Sequence, residues 1–182
     1  ESLEFDGVSF TNRNVYIMPM HHAQKLINYP FSGVVGVNLF EDFEIELDLL
    51  NSKLVLYQTN ERGERLSESN SQFVSPNSYS LPFSYTNGIL ILEGTMNGQR
   101  VKFGLDTGAE VTVLDSRMKR KVRQSVDLFA QARAVGVGGK IKIVEAGQIP
   151  ALHFYEVVKV EYLQTIVLPL AHVEDAYGAS LD

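Results

Sequence analysis

The acidic side chain that stands out in this sequence is Asp106. In "VKFGLDTGAEVTVLD", residues 101–115, a carboxylate, a hydroxyl and a glycine follow one another between two apolar runs. Val101, Phe103 and Leu105 alternate onto one strand face, and Val111, Val113 and Leu114 supply the next run. A charge at such a junction has two readings: it caps a tight turn through nearby backbone, or it is held in place for chemistry. Thr107 adds a hydroxyl that can bond neighbouring backbone. Gly108 permits a positive φ or the close approach of another chain.

One chemistry open to a carboxylate is hydrolysis by a pair of acids that face each other across one water. Like charges that close cannot both ionise, so the pair shares a proton. The sequence holds one D-T-G. Asp48, inside "FEIELDLLN", and Asp115, which closes the run after the motif, read as surface or cap positions.

Other chemistries have less to work with. With no cysteine in 182 residues, thiol nucleophiles, disulfides and zinc–thiolate sites are excluded. Of the four histidines, His21 and His22 read as surface, His153 as a core or rim residue, and His172 has no evident partner. No two of them have the i, i+4 spacing of a helical metal site. A net charge of −6 and a pI near 5.2 argue against a nucleic-acid partner. No apolar run is long enough to span a membrane. At 45% hydrophobic, the chain can bury one real core or two small ones.

Short runs rich in Val, Ile, Leu, Phe and Tyr, broken by Gly and Asn, predict a mostly β chain. The expected strands cover 3–10, 14–18, 43–49, 53–57, 88–96, 99–105, 111–114, 132–137, 140–146, 151–154 and 157–168. "MNGQ", residues 96–99, is expected to be a two-residue Asn-Gly hairpin turn. Two helices are expected. One covers 21–28; the other starts from Ser116 and continues through "RMKRKVRQSVDLFAQ", its basic residues forming a solvated face. The polar stretch beginning at Thr59 reads as a linker.

The longer pattern around Asp106 is more specific than its three-residue centre. "FGLDTGAEVTVLD" resembles the active-site segment of the retropepsin-like aspartic proteases and their bacterial relatives. "AVGVGGKIKIVEAGQIP", residues 134–150, resembles that family's flap, a glycine-tipped hairpin that closes over bound peptide. "FSGVVGVNLFEDFEIELDLLNSKLVLY", residues 31–57, resembles the closing part of such a domain, although here it precedes the D-T-G.

The resemblance implies an all-β, retropepsin-like closed barrel with one or two short helices. Residues 1–58 would be a closing half, 59–83 a polar linker and 84–182 an opening half. Two origins fit that order: a circular permutation, or an excerpt from two tandem repeats, which we prefer. By resemblance, Asp106 is the catalytic residue, with Thr107, Gly108 and Ala109 in its loop and Val137, Gly138 and Gly139 at the flap. The implied activity is an aspartic endopeptidase that uses no metal or cofactor and takes an extended peptide or protein substrate. Its second aspartate would come from a homodimer or from another repeat. A catalytically inactive relative that binds peptide or dimerises is the alternative. Relatives of the bacterial type imply a periplasmic or secreted setting.

Overall fold

The computed structural model describes residues 2–5, 7–17, 19–21, 24, 29–66, 78–135, 141–178 and 181. Cα packing divides the chain into two units, Glu1–Ser75 and Pro76–Asp182. Strands dominate both, as the composition predicts.

In the first unit, β1 (Ser2–Phe5) and β2 (Val8–Thr11) pair antiparallel. The single strand expected over 3–10 is therefore a hairpin, turned at Gly7. Residues 14–17 carry no strand, and Met18 lies outside the described residues. Of the helix expected over 21–28, only His21 and Gln24 are described. The Gln24 amide donates to the Met20 carbonyl at 3.0 Å.

A short 3-10 turn, Val37–Phe40, leads into β3 (Phe43–Asp48) and its antiparallel partner β4 (Lys53–Gln58). Asp48 caps the connecting turn by accepting the Asn51 amide at 3.0 Å, as its cap reading predicts. Phe10 is buried, with the rings of Phe40 and Phe43 each 5.8 Å away. Residues 59–66, expected to open the linker, fold back on the hairpin. Arg65 pairs with Glu44 at 2.6 Å and lies 3.6 Å over the Tyr57 ring.

In the second unit, β5 (Ser84–Thr86), β6 (Ile89–Met96) and β7 (Gln99–Leu105) are joined by tight turns. The expected Asn-Gly turn is present: Asn97 and Gly98 have φ of 47° and 71°, matching the twist of the strands they connect. After β7 come the D-T-G loop and β8 (Thr112–Asp115), then a four-residue helix, α1 (Arg120–Arg123).

The expected helix over 117–131 ends there. Residues from Asp127 onward form β9 (Asp127–Val135), which pairs antiparallel with the long β10 (Ile141–Phe154). Cross-strand hydrogen bonding overrides the helix propensity of "LFAQ". The strands expected separately at 140–146 and 151–154 are likewise one strand. β11 (Val158–Leu168) then returns along β10, and an unexpected helix, α2 (Ala171–Tyr177), follows it.

The pairings run β5-β6-β10-β11-β8, with β7 on β6 and β9 on β10. Among the described residues this is an open, branched seven-stranded sheet; the expected all-β class stands, and the pairings do not close into a ring. Its core contains Met96, Val101, Leu114, Met118, Val122, Val126, Ile149, Leu152 and Val167. Val122 is fully buried although it stands in a helix otherwise made of Arg and Lys, so α1 is solvated on one side only.

Candidate active site

Asp106 stands where β7 leaves the sheet. The strand alternates as its sequence predicts, with Val101 buried and Phe103 half-buried against the core. From Leu105 the chain turns outward, and residues 105–110 are all exposed. It re-enters at β8, where Leu114 and Asp115 are both buried. β8 lies parallel to β11, with Thr112 beside Thr165 and Asp115 beside Leu168. The buried Thr165 hydroxyl donates to the Thr112 carbonyl at 3.0 Å and fixes the point where the loop ends.

Within the loop, an Asp106 carboxylate oxygen accepts the Gly108 amide at 2.8 Å, and the Asp106 carbonyl accepts the Ala109 amide at 3.3 Å. This is an Asx-type turn, so the bland reading of Asp106 is locally correct. The same turn holds the carboxylate in one orientation, which is also what chemistry at that group requires. Gly108 is needed for proximity rather than for a positive φ. A Cβ there would lie 3.3 Å from that same carboxylate oxygen, tighter than ordinary contact. The carboxylate is exposed, and among the described residues no second acid is bonded to it.

Thr107 and Ala109 accompany it on the exposed loop. The arms of the expected flap are present as β9 and β10, paired from Val135–Ile141 down to Asp127–Gln148 with a bulge beside Gly147. Val137, Gly138 and Gly139 themselves lie outside the described residues.

Asp115 differs from its surface-or-cap reading in one respect. It does cap, accepting the Arg117 amide at 2.8 Å, but it is only 2% exposed. The Arg117 guanidinium beside it, helped by backbone donors at Arg117 and Leu170, holds its carboxyl below the usual carboxylate range. Arg117 also bonds Glu174 on α2. Glu174 in turn accepts the Leu181 amide at 3.0 Å; that bond, and then Arg117, lower its pKa as well. Between these two carboxylates the guanidinium is held charged even more firmly than usual. Sequence reasoning missed this cluster. Asp115 and Arg117 are two residues apart, but Glu174 is 57 residues further on, and no local pattern links it to them.

His153 is half-buried in β10, as a rim residue would be. Among the described residues no three His, Asp or Glu side chains gather as a metal site would require. No described helix is long and apolar enough to cross a membrane.

The structure thus defines an all-β domain that presents one oriented aspartate on a loop between core strands. Residues 92–177, which include that loop, β9, β10 and α2, match the aspartyl protease family. The match agrees with the resemblance to aspartic proteases and supports proteolysis as the general activity of this segment. No curated protein matches the chain.

Proposed function

We propose that this chain supplies one half of a retropepsin-type aspartic endopeptidase, with Asp106 as its catalytic carboxylate. The observation that carries the reading is the Asp106–Gly108 hydrogen bond of 2.8 Å, on a loop between β7 and β8 inside the aspartyl protease segment. A second carboxylate, from another copy of the chain or from a like repeat, meets Asp106 across a water molecule. One of the pair takes a proton from the water while the other gives its proton to the scissile carbonyl oxygen, and the two titrate as a unit.

Thr107, Gly108 and Ala109 keep the loop in shape. The hairpin of β9 and β10, tipped by Val137, Gly138 and Gly139, closes on an extended substrate through backbone hydrogen bonds. In this reading, residues 1–58 and 84–182 are the closing and opening halves of retropepsin-like lobes, joined through 59–83. The substrate is peptide or unfolded protein, and the setting is periplasmic or secreted.

The test is cleavage of an unfolded protein at about pH 4–6, where a singly protonated pair is active. The wild-type chain is expected to cleave as a dimer, and Asp106→Asn to abolish cleavage without altering the fold. A wild-type dimer that never cleaves would leave the chain as a binding or dimerisation domain. A strict monomer that cleaves with Asp106→Asn in place would remove Asp106 from the chemistry altogether.

A further inference from the structure

We infer that Arg117 and Glu174 are positioning residues for the Asp106 loop, acting as a latch between the strand that enters the loop and the strand that leaves it. The inference rests on the proteolytic reading of Asp106 for its consequence, but not for its geometry.

The latch can be followed atom by atom. Asp115 ends β8, the strand leaving the loop. Its buried carboxylate is held by the Arg117 amide at 2.8 Å and by the Arg117 guanidinium. That guanidinium also grips one oxygen of Glu174, whose other oxygen accepts the Leu181 amide at 3.0 Å. The Leu181 side chain lies 3.7 Å from where a Cβ on Gly104 would stand. Gly104 belongs to β7, the strand entering the loop, two residues before Asp106. The circuit therefore starts on one flank of the D-T-G loop and finishes on the other.

Stability alone does not account for this arrangement. Burying a carboxylate is costly, and a paired buried charge is often no more stabilising than apolar side chains of similar volume. What an ion pair adds is direction. The bonds from Arg117 fix where β8 ends, and the parallel pairing with β11 then fixes where the loop must begin to turn. An active carboxylate must be held to within about 0.5 Å of its working position. The Asx turn alone sets the carboxylate relative to its own loop, not the loop relative to the sheet.

Gly108 is the reporter, because its amide donates directly to the Asp106 carboxylate. The experiment uses the full-length, isotope-labelled chain and follows that amide by NMR, together with thermal unfolding and cleavage kinetics. Arg117→Gln is expected to move the Gly108 resonance and speed its hydrogen exchange about tenfold with strand content unchanged. Arg117→Lys is expected to restore part of the shift. Leu181→Pro removes the peripheral amide donor and the side chain beside Gly104 while leaving the Asp115–Arg117 pair in place, so it decides the matter if Arg117→Gln fails to fold; the same change in smaller measure is expected.

A lowered melting point with Gly108 unmoved in the folded variants would overturn the inference and leave the latch as ordinary scaffold. If Gly108 moves yet the wild-type chain never cleaves, positioning stands and the proteolytic reading falls. Where the wild type does cleave, Arg117→Gln is expected to lower kcat about ten- to a hundredfold with KM nearly constant. An unchanged kcat would overturn positioning.

Discussion

The two units of the chain use their apolar residues in opposite ways. In the second, nine core side chains lie beneath a seven-stranded sheet, and Met96, Leu114, Val122 and Ile149 are fully buried. Among the described residues of the first unit only Phe10 and Leu39 reach comparable burial, while Leu47, Leu49, Leu50 and Leu54 stand largely exposed. Charge divides the same way. Of the 22 acidic and 16 basic side chains, 11 acids and five bases fall in residues 1–75, which leaves 11 of each for 76–182 and puts the whole net charge of −6 in the first unit. Two-stranded hairpins are marginal by themselves, whereas a sheet with a shared core can hold a loop still. The difference explains why the oriented carboxylate belongs to the second unit.

The largest test of that contrast is a pair of truncations. Leu114→Ala is expected to lower stability by about 2–5 kcal/mol, because it opens a cavity in a filled core. Leu50→Ala, at a residue 96% exposed, is expected to change it by less than about 0.5 kcal/mol. Urea unfolding of both variants decides, and equal losses would erase the distinction between the units.

Acid titration sharpens it. The folded pKa values of Asp115 and Glu174 are lowered, so their stabilisation is complete above the usual carboxylate range and drains as pH falls through it. The melting temperature should therefore fall steadily below about pH 4. Arg117→Gln should lower it at neutral pH and flatten the acid slope, because the buried Asp115 carboxylate loses its charged partner. Asp48 in the first unit is also shifted down, chiefly by the Asn51 side chain, but it is only half-buried. Asn51→Ala should barely alter the slope. An equal flattening there would mean that burial is not what gives Asp115 its weight.

The smallest effect is expected at Tyr162, whose φ of 54° puts an aromatic residue in the left-handed region inside β11. It stands opposite Pro150, which has no amide to offer the ladder, and it is 67% exposed. Tyr162→Asn should raise stability by about 1 kcal/mol or less, since asparagine tolerates that conformation better. A fall in melting temperature would show that the ring contributes more packing than its exposure implies.

Much of the fold was readable because it rests on local rules. Alternation located β6 and β7, and Asn97-Gly98 located the turn between them. The D-T-G segment could be read for the same reason: its apolar flanks announce strands, and its polar centre announces a turn. Where distant partners decide, reading failed. "LFAQ" continues the expected helix, yet β10 recruits it into the strand that the sequence places only from Ala132 onward. α2 follows Pro169 and is only seven residues long, stopped by Gly178 in the left-handed conformation, so periodicity had little to work on. Arg117 looked like one more base in a solvated run. Its importance comes from Glu174, brought to it by the return of β11.

The parallel seam between β8 and β11 has a consequence for the order of assembly. Its Thr112–Thr165 bond joins residues 53 apart, while the hairpins β6–β7 and β10–β11 close through turns of two or three residues. Near-neighbour hairpins form in about microseconds, and pairings between distant segments lag behind them. The segment carrying Asp106 is thus among the last to acquire its shape, after the hairpins on either side of it have closed.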